Sequence, residues 1–263
     1  MSRFPSLAGA VAALVVAPTS LASVIVSANF AGYADGLLVG QAGWQQYGAA
    51  TARPLTVTGG AIAWAGGSTS DGQDAMLAFP EQFTQPLEGE TILNFDILLT
   101  VNSAGANPSY FAALNTLTTT GTGGNFQNAR MVARSSGSGF VFGTRVNGQG
   151  GYPFAYGAEE LVFGTRYALR AEIHMVAGNA NDYINLYVGS DFDSLSLYAT
   201  AMYSGTGSVN DPLFGAMLLS QFGSGSTFES GISVESMSVT LVPAPAGLAA
   251  FGLLGLVGGR RRR

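Results

Sequence analysis

The chain has 263 residues, of which 47% are hydrophobic and 10% are charged, with 37 glycines and no cysteine. The lack of cysteine excludes a disulfide framework and a thiolate metal site. Residues 23–241 hold six arginines against all 16 acidic residues, a net charge of −10. This length fits one sizeable domain, and a domain this acidic repels phosphate backbones, which argues against nucleic acid as a partner.

Residues 1–22 have the three parts of a secretory signal peptide. Arg3 supplies the positive start, residues 7–17 form an apolar stretch, and Pro18 ends it before the small residues Ser20 and Ala22. The apolar stretch is too short for a transmembrane helix. We therefore expect an N-terminal signal helix, removed by cleavage between Ala22 and Ser23.

Apolar and polar residues alternate through residues 23–241, which is the pattern of half-buried strands. The alternation is clearest at 91–101, 167–175 and 182–188. Further strands are predicted at 24–30, 55–65, 75–80, 109–118, 126–134, 138–147, 213–221 and 230–241. A change of phase near Glu235 or Ser236 predicts a β-bulge in the last strand. This pattern predicts an all-β domain, a two-sheet antiparallel β-sandwich of the jelly-roll type.

Two short segments resemble a known family of β-sandwiches. The pair Asp35-Gly36 precedes a Gly40-Gln41-x-Gly43-Trp44 turn, and a later run reads Asp-Tyr-Ile-Asn-Leu-Tyr-Val at 182–188. Together they resemble the concanavalin A-like lectin/glucanase-type sandwich domains. The resemblance implies the same sandwich fold, and a role in binding or cleaving glycans.

No catalytic residues are assigned. Glycosidases use two carboxylates about 5–9 Å apart, and laminarinase-like members of this fold place them on one strand. This chain lacks that motif, and the pairs Glu88/Glu90 and Glu159/Glu160 are interpreted as solvated loop charges. His174, the single histidine, is expected to be partly exposed on the outer face of its strand.

Four aspartates are weak candidates for calcium ligands, because calcium binds hard oxygen donors in loops. They form the pairs Asp71/Asp74 and Asp191/Asp193. They match no known calcium loop, and aspartate is also common in turns for conformational reasons. No metal site and no other cofactor is therefore assigned.

One glycine-flanked segment, residues 150–157, is a candidate glycan platform. Tyr152, Phe154 and Tyr156 alternate along it, so their rings are expected to face one way and stack on sugar rings. The alternative is that these rings pack the segment onto the sandwich. Trp44 and Trp64 are interpreted as core or corner residues instead of ligand contacts.

The C-terminal segment, residues 242–263, has the order of a sorting signal. Pro243-Ala244-Pro245 precedes about 14 apolar residues, and Arg260, Arg261, Arg262 and Arg263 end the chain. A helix of that length spans about 21 Å, shorter than the roughly 30 Å hydrocarbon core. The arginines are expected to stay cytoplasmic.

This tail resembles the PEP-CTERM sorting signal, although Ala244 stands where that family typically has Glu. The resemblance implies recognition of Pro243, Ala244 and Pro245 by an exosortase-type transpeptidase of a Gram-negative bacterium, with Arg260 to Arg263 as the cytoplasmic anchor. The alternative is a short membrane anchor that is never processed.

These observations predict three regions: a signal peptide at 1–22, a β-sandwich at 23–241 and a sorting tail with a short apolar helix at 242–263. The expected product is an inner-membrane-anchored precursor that moves to the cell surface or extracellular matrix. Its domain is expected to have a non-catalytic matrix or polysaccharide-binding role. Two alternatives stay open, a glycan-active hydrolase or lyase of the same fold and a passive structural coat protein.

Overall fold

The computed structural model describes residues 22–48, 51–64, 67–68, 72–83, 86, 88–115, 127–146, 154–178, 181–202, 214–223, 227–228 and 231–242. These residues form strands and a single 3₁₀ turn, Phe30–Gly32. The strands are β1 Ser23–Asn29, β2 Gly36–Leu37, β3 Gln45–Tyr47, β4 Thr56–Thr58, β5 Ala61–Trp64, β6 Gly67–Ser68, β7 Asp74–Phe83, β8 Glu90–Ser103, β9 Ser109–Asn115, β10 Gln127–Ser136, β11 Gly139–Val146, β12 Ala155–Tyr156, β13 Arg166–Val176, β14 Tyr183–Gly189, β15 Ser196–Met202, β16 Phe214–Gly223, β17 Thr227–Phe228 and β18 Gly231–Val242.

Two antiparallel sheets form the sandwich. Sheet A has the order β15-β14-β13-β8-β18-β5-β4-β2, with β1 also paired to β18. Sheet B has the order β12-β11-β10-β9-β16-β7-β3, and β6 pairs with β17 separately. The predicted all-β sandwich is confirmed. Consecutive strands pair at β4-β5, β9-β10, β10-β11, β11-β12, β13-β14 and β14-β15, and the other pairs join strands that are not consecutive in sequence.

The hydrophobic core lies between the two sheets. The period-2 alternation of the long strands produces it, because every second side chain of a strand faces the other sheet. Alternate residues of β8 from Leu93 to Val101 are fully buried, as the sequence predicts. In sheet B, Met131, Phe140 and Phe142 point to the same core. A fully buried aromatic side chain stabilises the fold by roughly 1.5–3 kcal/mol, so this layer is the main source of stability. Trp44 and Trp64 both belong to this core.

The predicted bulge in the last strand is confirmed. Against β8, the register of β18 shifts between Val234 and Ser236, so Glu235 is the extra residue. The bulge lets Val234 and Met237 both face the core even though they are three positions apart, which would place them on opposite faces of a regular strand.

The side chain of Gln41 stabilises the turn in which Gln41 lies. Gln41 Nε2 donates to the carbonyls of Ala34 and Leu37 at 2.9 and 2.7 Å, and its Oε1 accepts from Ala34 N at 3.1 Å. Gly43 has a φ of +87°, and Trp44 follows it into the core, where its ring lies 6.0 Å from Phe30. The segment 33–44 is thus a structural corner of the sandwich.

Candidate functional site

The β10–β11 hairpin places arginines opposite one another on the outer face of sheet B. In its register, Arg130 pairs with Arg145 and Arg134 with Val141. Residues two apart share a face of a strand. Since Met131 and Phe142 point to the core, Arg130, Arg134 and Arg145 lie on the opposite, outer face.

Aromatic residues of the two neighbouring strands complete this face. On one side, Tyr156 of β12 pairs with Gly143 of β11, and Phe154 lies two residues earlier on the same face. A Cβ at Gly143 would lie 2.6 Å from the Tyr156 ring, so glycine is what allows the ring to lie across this strand. On the other side, Tyr110 of β9 pairs with Val132.

Each of the three guanidinium groups lies over an aromatic ring. The distance from Cζ to the ring centroid is 3.9 Å for Arg134 over Tyr156, 4.8 Å for Arg145 over Phe154 and 5.2 Å for Arg130 over Tyr110. The Tyr110 and Phe154 rings also meet edge to face, with centroids 5.5 Å apart. We call this set the arginine–aromatic face: Tyr110, Arg130, Arg134, Arg145, Phe154 and Tyr156.

The residues of the arginine–aromatic face differ in burial, and we call the buried arginines its floor and the partly exposed residues its edge. Arg130 and Arg145 are only 7% and 8% exposed, whereas Arg134, Phe154 and Tyr156 are partly exposed. Burial and, to a smaller extent, the neighbouring charge of Arg145 lower the pKa of Arg130 to about 10, against the opposing effect of its hydrogen bond with Tyr110. Burial also raises the pKa of Tyr156. At neutral pH Arg130 therefore still carries its positive charge.

The candidate glycan platform lies at the edge of this face. Phe154 and Tyr156 share one side, with their ring centroids 6.0 Å apart, while Tyr152 lies outside the described residues. Their role in glycan binding remains a prediction. Sequence reasoning missed the arginines beneath them. The available signal was the Ser136-Gly137-Ser138-Gly139 turn, because a hairpin closed there pairs Arg130 with Arg145.

The outer face of sheet A carries a second polar cluster, centred on His174. Its Nδ1 lies 2.6 Å from Glu90 Oε1, its Nε2 lies 2.8 Å from Glu172 Oε1, and the Tyr183 ring stacks on it with centroids 4.0 Å apart. The prediction of a partly exposed histidine was therefore wrong, since His174 is 6% exposed. Glu90 was also wrongly interpreted as a loop charge: it begins β8, and its register partner is Val176.

The remaining glutamates of the two predicted loop pairs are exposed. Glu160 accepts hydrogen bonds from the amide and hydroxyl of Ser138 at 3.1 and 3.0 Å. It therefore fastens the tip of the β10–β11 hairpin. Glu88 and Glu159 are exposed as well.

Of the calcium candidates, Asp191 and Asp193 lie in one turn. Asp191 accepts from Asp193 N at 3.0 Å and from the Ser190 hydroxyl at 3.2 Å, which are turn contacts. Asp74 lies on the other sheet and accepts from Gln221 N at 2.8 Å, while Asp71 lies outside the described residues. Within the described part of the chain, no group of three or more His, Asp or Glu is arranged to hold a metal ion.

The acidic residues on the described strands of sheet B lie far apart from each other. Among the described residues of its strands, the acidic side chains are Asp74 and Glu81, both on β7. Seven residues of strand put them roughly 20 Å apart, beyond the 5–9 Å of a glycosidase pair. Asp74 also lies three strands from Arg130, about 14 Å away.

The predicted cleavage and sorting residues lie at the limits of the described chain. Ala22 is exposed and β1 begins at Ser23, while β18 ends at Val242. The sorting motif Pro243, Ala244 and Pro245 and the arginines 260–263 lie outside the described residues. Within the described ranges, no helix has the length and apolarity needed to cross a membrane.

Comparison with known proteins places lectin- and glucanase-type structures among those that the fold resembles. No protein-family model and no curated protein matches the sequence. The CBM2 module of the evolved Dit of Lactobacillus casei BL23 phage J-1 has 10% identity and a TM-score of 0.48, over 85% of this chain and 97% of that one. Peanut lectin has 11% identity and a TM-score of 0.47, over 83% and 99%. The endo-1,3-β-glucanase of Streptomyces sioyaensis has 15% identity and a TM-score of 0.41, over 87% and 99%. Identities and TM-scores this low transfer no function to this chain.

Proposed function

We propose that this chain is an exported, non-catalytic glycan-binding protein whose ligand contacts the arginine–aromatic face. The observation that carries the proposal is the edge of that face, where the partly exposed rings of Phe154 and Tyr156 lie beside arginine donors. Ligand sites of this kind combine aromatic surface with a few placed polar groups. Arginine supplies such groups, because its edge presents N–H donors while its flat face rests on a ring.

Affinity retention of the full chain, purified from cells that export it, on immobilised polysaccharides tests this proposal. Tyr156→Ala removes a ring of the edge, and Tyr183→Ala removes a tyrosine from the outer face of sheet A as the matched control. A stacked ring contributes about 0.5–1.5 kcal/mol beyond its buried area, so Tyr156→Ala is expected to weaken retention about threefold to tenfold. Tyr183→Ala is expected to leave it unchanged.

Two results would refute the proposal. If the full chain is retained by none of the glycans, including exopolysaccharide from its own host, the passive coat role is the better description. If both tyrosine variants weaken retention equally, the ligand does not select the face of sheet B.

The export route is a separate proposal that rests on the two ends of the sequence. We expect loss of residues 1–22 on export, then processing near Val242 by an exosortase-type transpeptidase. Tagging both ends of the chain and following the two tags in a host with and without the transpeptidase measures both steps. A C-terminal tag that stays attached to the exported chain in both hosts would reduce the tail to a plain membrane anchor.

A further inference from the structure

The first and the last strand of the domain meet at one end of sheet A. β1 runs antiparallel to the C-terminal half of β18, and its first residue, Ser23, is the register partner of Leu241. β18 ends at the next residue, Val242. The predicted signal peptide and the predicted sorting tail therefore leave the domain from neighbouring strands, about 5 Å apart.

Very little chain separates this end of the sheet from the predicted membrane segment. Four peptide steps join Val242 to Ala246, the first residue of the apolar stretch, and four steps span at most about 14 Å. The headgroup layer takes up about 5–7 Å of that distance, since a bilayer of about 40–45 Å has a hydrocarbon core of about 30 Å. When the apolar stretch is inserted, Val242 therefore lies within roughly 10 Å of the headgroup surface.

The last strand cannot leave the sheet to lengthen this tether without a loss of stability. The C-terminal half of β18 is paired with β8 on one side and with β1 on the other. Met237 and Val239, in the same half, are buried in the core, so detaching it would expose both side chains to water. The end of the folded sheet is therefore fixed close to the headgroups.

Two exposed apolar side chains lie at this end of sheet A. Val24, 65% exposed, follows Ser23 on β1, and Met202, 71% exposed, is the last residue of β15. The register across the sheet places Met202 level with Val242, through Tyr183, His174 and Ile92. Apolar side chains are favourable at the boundary between headgroups and acyl chains, so this end fits a bilayer surface.

The opposite end of sheet A lies beside the turn of the β10–β11 hairpin. The first residue of β18, Gly231, lies about 36 Å from the last and pairs with Ser103 of β8. The chain continues from Ser103 to Gly105, whose carbonyl accepts a 2.7 Å hydrogen bond from Ser135 N, next to Arg134. The partly exposed edge of the arginine–aromatic face therefore lies toward the end that is far from the tail.

We infer that, while the tail is inserted, the end of sheet A where β1 begins and β18 ends lies against the bilayer surface. This orientation points the β10–β11 turn and the edge of the arginine–aromatic face away from the membrane, where polysaccharide outside the cell can reach them. The inference rests on the proposed export route, and its consequence for binding rests on the proposed glycan-binding function. It adds a lipid surface as a partner of the domain.

Energy transfer to a dye in the lipid headgroups measures this orientation. The chain has no cysteine, so Val24→Cys and Asn102→Cys each create one labelling site, at exposed positions near opposite ends of sheet A. The full chain, purified from an exporting host without the transpeptidase, is placed in phosphatidylcholine vesicles, whose zero net charge avoids repulsion of the exposed Glu88. Transfer is expected to be about threefold stronger from position 24 than from position 102, because the two positions lie about 30 Å apart along the strands.

A flexible insertion tests whether the short tether sets the orientation. Twelve Gly/Ser residues between Val242 and Pro243 add a coil with a mean extension of about 20 Å. This variant is expected to lose most of the difference in transfer between positions 24 and 102. The same twelve residues added after Arg263 leave the tether unchanged and are the matched control.

The possible failures can be told apart. Equal transfer from positions 24 and 102 in the chain without an insertion would refute the inference, because the domain then has no fixed orientation at the surface. A difference that survives the insertion after Val242 would refute the short tether as its cause. A full chain that does not float with the vesicles would refute the proposed anchoring by the tail instead. Retention on no glycan at all refutes only the proposed binding function.

Discussion

Asp74, at the start of β7, is expected to make the stability of the sandwich depend on pH. Burial raises its pKa from 3.8 to about 6, against the opposing effect of the hydrogen bonds from Gln221 N and Ser220. Tyr47 is its register partner on β3. Because the folded state holds the proton more tightly than the unfolded state, this contribution to stability is complete below about pH 4. It is lost as the pH rises through about 6.

The size of the effect follows from the two pKa values. The difference between 3.8 and about 6 corresponds to about 3 kcal/mol, and the partial exposure of the Asp74 side chain reduces this to about 2 kcal/mol. Asp74→Asn keeps an oxygen for Gln221 N but does not titrate. Between pH 4 and pH 7, the free energy of unfolding of the parent is therefore expected to fall by about 2 kcal/mol more than that of Asp74→Asn.

Urea unfolding of the parent and of Asp74→Asn, at intervals from pH 4 to pH 8, measures this difference. The other carboxylates titrate in both proteins, so the difference between the two curves isolates Asp74. In thermal unfolding the same difference is about 4–8 °C in Tm. Parallel curves for the two proteins across this range would refute the argument that burial of Asp74 outweighs its hydrogen bonds.

Two further substitutions test an ion pair within sheet A and a close backbone contact at the start of β11 in sheet B. Asp96→Asn removes the negative charge and one of the two oxygens that accept 2.7 Å bonds from Arg170, and it is expected to reduce the free energy of unfolding in urea by about 1–2 kcal/mol, because the pair is partly buried. A smaller loss of stability in 1 M salt than in dilute buffer would agree with an ion pair. No loss of stability in either buffer would contradict the prediction that this pair stabilises the fold. Gly139→Ala sets a Cβ against the carbonyl oxygen of Leu161, which bonds the Phe140 amide, and is expected to reduce the Tm by several degrees. Gly32→Ala, with open space around its added Cβ, is the control, and equal Tm values for the two variants would be the contrary result.

The two-layer fold could be predicted from the sequence, because the alternation of apolar and polar residues shows directly which side chains of a strand face the core. In the run from Leu93 to Val101 every second residue is apolar and faces one side, and these alternate residues are all fully buried. The change of phase at Glu235 likewise predicts the bulge, since only an inserted residue keeps both halves of β18 in register with the core.

The chemistry of the outer faces was harder to predict because it depends on neighbours that come from distant parts of the chain. Alternation places His174 outward, but its burial comes from Tyr183 on the next strand and from Glu90, 84 residues away in sequence. In the same way, alternation places Arg130 outward without revealing that Arg145 faces it and that Tyr110 lies beneath it.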